Sequence, residues 1–251
     1  MSIPKLWIMA GGNEQIMTAE DIKRKIKNRY DEVRENISRA AARVERDPEE
    51  VKLVAVGKEQ PLKKIQIVRE LGVYACGESR VQELLDKEEK MPGEIDWHFV
   101  GHLQRNKVKY LARMNNCSLI QSLDSQRLAA EIDKRAKKND RIFPVLIQVN
   151  VARDENKFGF MPEELLPFLQ KSDQFDNLEF AGLMTLVPYY EDSEKARPHF
   201  KKLVELQREA RSEGYELPEL SMGMTNDYEV AIEEGATIIR LGRALFGPRN
   251  Y

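Results

Sequence analysis

Lys58 is the residue around which the most chemistry can be built. It closes Ala55-Val56-Gly57-Lys58, one step past a short apolar run. A lysine placed there is partly withdrawn from water. Desolvation disfavours the ammonium form and lowers the pKa, and a neutral amine is what attack on a carbonyl requires. Position alone also fits an ordinary surface lysine. Two later segments carry anion-binding chemistry: Ser221-Met222-Gly223-Met224-Thr225-Asn226-Asp227 and Arg240-Leu241-Gly242-Arg243-Ala244-Leu245-Phe246-Gly247. Gly223 and Gly242 bare their backbone N–H groups, Thr225 adds a hydroxyl and Arg243 a cation, which together suit a phosphate. The plain alternative is that the glycines only make turns and Thr225 only caps a helix.

These residues need elements to bring them together. Eight short apolar runs read as strands: Leu53–Val56, Val73–Cys76, Trp97–Val100, Leu119–Gln121, Val145–Val149, Phe180–Met184, Leu220–Met222 and Thr237–Leu241. Continuous apolar runs suit parallel strands buried on both faces. Amphipathic stretches of helical period lie between them, among them Leu62–Leu71, Arg80–Lys90, Asn106–Met114, Ser125–Lys138, Pro162–Lys171, Ser193–Glu213 and Asp227–Glu234. A longer helical stretch comes first, from about Thr18 to Arg46, with Thr18 and Asp21 spaced as a cap. The expectation is an α/β fold, a single (β/α)₈ TIM barrel preceded by an N-terminal helix. An open doubly wound sheet is the runner-up, but the first strand lacks the Gly-x-Gly-x-x-Gly that such sheets use.

The barrel tells where to look, because such folds place their sites at the C-terminal ends of the strands and often bind phosphate after strands seven and eight. That puts Lys58 and both glycine segments at one mouth. Glu78 and Ser79 end strand two, with capping of the next helix as the default for Ser79. Ser122 or Asp124 is expected to cap the helix after strand four. Met184 ends strand six and fits either core or an apolar wall for a flat ligand. His98 and His102 flank a strand end and share no helical face, so neither reads as a metal ligand. His98 reads as a satisfied core histidine.

Composition narrows the partners. The chain has 251 residues, formal net charge -2, two cysteines and three histidines. Near-neutral charge argues against nucleic acid or an anionic membrane as an obligate partner. Two isolated thiols make no disulfide framework, and a reduced, cytoplasmic setting is expected. No run is long enough for a membrane span. Residues 1–17 read as an N-terminal segment outside the fold, either a ragged natural start or an added leader, and 18–251 as the barrel domain. An imine-forming amine facing a phosphate cradle suits two ligand types: a phosphorylated sugar or aldehyde, as in Schiff-base aldolases, or pyridoxal 5'-phosphate.

The motifs taken together are more specific. Gly57-Lys58, Cys76-Gly77-Glu78, Trp97-His98-Phe99-Val100-Gly101-His102-Leu103-Gln104-Arg105-Asn106-Lys107 and the two glycine segments resemble, in order and spacing, the pyridoxal phosphate homeostasis proteins. These are relatives of the barrel domain of alanine racemase. The resemblance implies that Lys58 is the Schiff-base lysine and that Ser79, Met184, Ser221, Gly223 and Met224 line the cofactor. It implies that Thr225 binds the phosphate by its hydroxyl, and Gly242 and Arg243 by backbone N–H groups. Arg240 would face the pyridine nitrogen and keep it unprotonated, which weakens the electron sink. The chain departs from the usual pattern at three places: Ser79 stands for an asparagine, Thr225 for a serine, and Arg243 for a threonine or serine. The resemblance further implies a protein that buffers pyridoxal phosphate and delivers it to apo-enzymes, affecting amino-acid and keto-acid balance indirectly. A closed barrel without a second domain is expected to be a monomer. A racemase also needs a second base from a second domain, which this length does not provide. A one-base racemase or a Schiff-base aldolase is the alternative.

Overall fold

Thr18 opens the first helix with a reciprocal cap. Its hydroxyl accepts from the Asp21 N–H at 3.1 Å, and the Asp21 carboxylate accepts from the Thr18 N–H at 3.2 Å. Two amides that a helix start leaves unpaired are thereby satisfied. The computed structural model describes residues 18–248, so the N-terminal segment at residues 1–17 lies outside the described residues. Helix α1 runs Ala19–Ala42 and buries Ile26, Val33, Ile37, Ala40 and Ala41, the stripe that the spacing predicts. It ends four residues short of Arg46. Asp47-Pro48 instead opens a 3-10 turn, whose first amides the Asp47 side chain meets through the Glu49 N–H.

Eight parallel strands follow: β1 Lys52–Val56, β2 Ala75–Glu78, β3 Asp96–Phe99, β4 Cys117–Leu123, β5 Phe143–Gln148, β6 Leu178–Met184, β7 Glu219–Ser221 and β8 Ile238–Leu241. Each pairs with the next, and β8 returns to β1 with Leu241 opposite Ala55, so the barrel closes. The helices between and after them are α2 Leu62–Glu70, α3 Val81–Lys90, α4 Val108–Leu111, α5 Gln126–Lys138, α6 Leu165–Leu169, α7 Arg197–Ser212, α8 Tyr228–Glu233 and α9 Arg243–Phe246. All eight expected strands form. β2 starts two residues late because Val73 is taken up in ending α2, its N–H donating to the Val68 carbonyl at 3.2 Å. The stretches expected as helices over 106–114 and 162–171 each reduce to a 3-10 turn and a short helix.

Two apolar layers result. Val54, Leu119, Leu146, Met184 and Ile238 meet inside the barrel. A larger cluster, with Trp97, Phe99, Phe143 and Phe200 fully buried, fills the space between strands and helices. Cys76 and Cys117 are buried free thiols, and burial pushes each up to about 12. Among the described residues no helix is long and apolar enough to cross a membrane.

Candidate functional site

Lys58 is half-buried in the turn that leaves β1. The backbone around it is held from several sides. Gly57 donates to the Gly77 carbonyl at 2.9 Å and accepts from the Gln60 N–H at 2.9 Å. The Glu59 N–H donates to Glu83 Oε1 at 2.6 Å. The Lys87 ammonium, on α3, donates to the Gly57 carbonyl at 2.7 Å. That ammonium also pairs with Glu83 at 2.8 Å and with the fully buried Glu78. Burial pushes the Glu78 carboxyl up to about 7, while Lys87 pulls it back. Glu78 Oε2 is buried with no hydrogen-bond partner. Glu78 is thus committed to the layer between β2 and α3.

The turns after β7 and β8 come to the same end of the barrel. Gly223 has φ +94, and a Cβ there would lie 2.7 Å from Ala231 Cβ, so the turn needs a glycine for both its conformation and its closeness to α8. The Gly223 carbonyl accepts from the Arg240 N–H at 3.0 Å. Asp227 ties the turn by accepting from the half-buried Met224 N–H at 2.6 Å. Thr225 caps nothing on α8; its hydroxyl accepts from the Ala244 N–H at 3.2 Å, which stitches the β7 turn to the β8 turn. A Cβ on Gly242 would lie 3.4 Å from the Val56 carbonyl, two residues before Lys58. The β8 turn therefore lies backbone against backbone on the end of β1. Arg243 is exposed.

Beneath this mouth the barrel interior is polar. Arg240 is buried, and its guanidinium donates to Ser221 Oγ and, at 2.7 Å, to the Thr185 carbonyl. Burial pushes this arginine down to about 10, with Asp227 pulling back. The same burial raises Asp227, against its Met224 hydrogen bond and Arg240. Ser221 donates to Gln121 Oε1 at 2.6 Å, and Gln121 Nε2 lies 2.9 Å from His98 Nδ1. His98 is thus a buried, partnered histidine, as its strand position suggests. Among the described residues no cluster of His, Cys, Asp or Glu could hold a metal ion.

Lys58, Ser221, Gly223, Thr225, Arg240 and Gly242 therefore gather on β1, β7, β8 and their turns. Met184 is fully buried in the inner apolar layer of β6, below the rim. Ser79 is half-buried beyond β2 and does not cap α3: Arg80 takes that position without a side-chain bond. Its carbonyl is pressed against the β3 turn, where a Cβ on Gly101 would lie 2.3 Å away. The cap of α5 is Ser125, not Ser122 or Asp124; the Asp124 carboxylate instead meets His102 Nδ1 at 2.8 Å. His102 stacks on Phe158 with ring centroids 3.6 Å apart, a contact between the β3 and β5 turns that spacing does not announce. Gln121 is the other unannounced residue; its one signal is an amide inside the apolar run Leu119-Ile120-Gln121.

A closed barrel with a lysine after β1 and paired glycine turns after β7 and β8 defines the class described as "Alanine racemase, N-terminal domain", whose family model matches residues 29–250. The chain belongs to the pyridoxal phosphate homeostasis protein family. A member from Aquifex aeolicus is 46% identical over 225 residues, which is 89% of this chain and 98% of that one. A crystal structure of an unknown protein from Bifidobacterium adolescentis superposes with TM-score 0.84 at 32% identity, covering 93% of this chain and 98% of that one. PipY of Synechococcus elongatus, with pyridoxal phosphate bound, superposes with TM-score 0.71 at 31% identity, covering 84% of this chain and all (100%) of that one.

Proposed function

We propose that this protein binds pyridoxal 5'-phosphate as a Schiff base on Lys58 and serves intracellular homeostasis of that cofactor, as a monomer that buffers it and delivers it to apo-enzymes. The observation that carries the reading is the approach of Gly242 to Val56, which sets a glycine turn beside the Lys58 loop. The family relationship and the cofactor in PipY support it. The residues fit the group: the two turns offer Thr225 Oγ1 and the glycine backbone at Gly223 and Gly242 for a phosphate, and Arg240 lies buried beneath for a ring nitrogen. Bound cofactor supplies an aldehyde that reacts with amines. Arg240, a cation that donates hydrogen bonds and accepts none, would keep the ring nitrogen unprotonated, which favours holding the cofactor over carbanion chemistry. Thr225 orients the phosphate, and Lys87 fixes the loop that aims Lys58.

The test is loading with pyridoxal phosphate, borohydride reduction and peptide mapping. A phosphopyridoxyl label on Lys58 is the expected result, with amino acids left largely unconverted by the coloured protein. A label on another lysine, or none, overturns the assignment. An aldolase would bond a carbonyl substrate and carry no cofactor band. We assign Arg243 a guanidinium contact to the phosphate as well. Arg243→Ser is expected to weaken affinity about tenfold, an interaction of about 1.4 kcal/mol, with the difference shrinking in high salt. Titration of the cofactor band checks this, and unchanged affinity refutes it.

A further inference from the structure

The hydrogen bonds beneath the mouth run in one direction. Arg240 has only donors, so Ser221 Oγ must accept from it and is left to donate its own proton to Gln121 Oε1. That fixes the Gln121 amide, whose NH₂ then points to His98 Nδ1 at 2.9 Å. Nδ1 must accept, so the proton of a neutral His98 sits on Nε2, which lies 3.5 Å from Asp96 Oδ2. Asp96 is held below the usual carboxylate range by His98 and other neighbours, despite the opposing effect of its burial. Donation passes from Arg240 through Ser221 and Gln121 to His98, whose Nε2 faces Asp96 at the longer distance of an ion-pair contact, so the polar chain crosses β8, β7, β4 and β3. The chain spans the barrel from its C-terminal mouth to its N-terminal one. There Asp96 and His98 line a cavity of about 440 Å³, with Lys52, Glu219, Arg34 and Tyr30 around them. Lys52 is paired with Glu219 at 2.5 Å, and Arg34 with Glu49.

We propose that Gln121 and His98 are positioning residues that hold Arg240 for the cofactor, and that the N-terminal cavity is where protons reach the relay. The cofactor part rests on the function proposed above. Protonating His98 puts a proton on Nδ1 and turns the Gln121 amide over. Its NH₂ then faces Ser221 Oγ, which already accepts from Arg240. Ser221 loses its acceptor, and of the two partners of Arg240 only the Thr185 carbonyl stays fixed. A satisfied polar chain in a low-dielectric interior is rigid, and one reversed member disturbs all of it.

The experiment has two arms. ¹⁵N-histidine-labelled protein without cofactor is read by long-range ¹H–¹⁵N correlation at pH 7.5. The sequence has three histidines, His98, His102 and His199, and His102→Ala and His199→Ala variants identify the signal of His98. An unprotonated Nδ1 with Nε2–H is expected. An Nδ1–H tautomer or an imidazolium at that pH overturns the relay. In the second arm, Gln121→Leu is expected to weaken pyridoxal phosphate binding about tenfold and to shift the absorption maximum of the bound cofactor. An unchanged maximum and affinity overturn the positioning role. The tautomer arm decides on the relay even where Gln121→Leu does not fold. A wild-type protein that takes up no cofactor refutes the proposed function and leaves the tautomer arm standing.

Discussion

Lys87→Met is expected to cost about 3–5 kcal/mol of folding stability at pH 8 and distinctly less at pH 5. The ammonium of Lys87 is buried between Glu78, Glu83 and the Gly57 carbonyl. Methionine keeps the length and apolar stem but removes every donor. Glu78 is then a buried carboxylate without a counter-ion, and breaking such a pair from one side costs about 3–5 kcal/mol. The sign of the pH dependence follows from Glu78. Its folded pKa is already raised from 4.5 to about 7, by burial and against the pull of Lys87. A carboxyl raised on folding favours the folded state most below its unfolded value, and that contribution fades as pH rises through about 7. Without Lys87 the folded value rises further, so the ionised form becomes more costly above pH 7. Near pH 5 Glu78 is protonated in both proteins, and what remains is the loss of hydrogen bonds, roughly 1–2 kcal/mol. Urea unfolding of both proteins at the two pH values gives the comparison. A cost below about 1 kcal/mol at pH 8, or a larger one at pH 5, contradicts this account of the cluster.

The ends of the strands were the legible part of this site. Gly57-Lys58 and Gly242-Arg243 follow apolar runs directly, and a closed parallel barrel sends every such end to one mouth. Residues whose partners lie far away in sequence were not legible. Thr225 reads locally as a helix cap, yet its hydroxyl takes an amide from α9. Asp124 reads as a cap too, but His102 claims it and Ser125 does the capping. Gln121 gains its meaning from Ser221, one hundred positions on, and from His98 on the neighbouring strand. Lys87 looks like any lysine on a charged helix until β2 places Glu78 beneath it. Local pattern decides where the chain turns and which face is apolar. Long-range pairing decides which polar groups are buried together, and no period in the sequence encodes it.

Gly223→Ala and Gly214→Ala separate the conformational demand of the β7 turn from its crowding. Both glycines have φ +94. Alanine at either pays for the left-handed backbone, about 1–2 kcal/mol. Gly214 follows α7 and has no atom within 4 Å of an added Cβ, so the backbone cost is all that Gly214→Ala should show. At Gly223 the added Cβ meets Ala231 Cβ at 2.7 Å and Tyr228 Cα at 3.0 Å, and the second of these is backbone of α8 that cannot swing aside. Overpacking adds about 1–3 kcal/mol, for a total near 2–5 kcal/mol. The relief must come from moving the turn away from α8. That motion carries the Gly223 carbonyl off the Arg240 N–H and shifts Thr225 from Ala244, so the β7 and β8 turns part. Gly223→Ala should therefore weaken pyridoxal phosphate binding at least tenfold, while Gly214→Ala leaves it unchanged. Urea midpoints give the first comparison, and titration of the cofactor band gives the second. Equal costs for the two variants would mean that α8 yields and that the crowding at Gly223 does not hold the turn in place. Unchanged binding in a destabilised Gly223→Ala would mean that the β7 turn supports the fold without forming the phosphate seat.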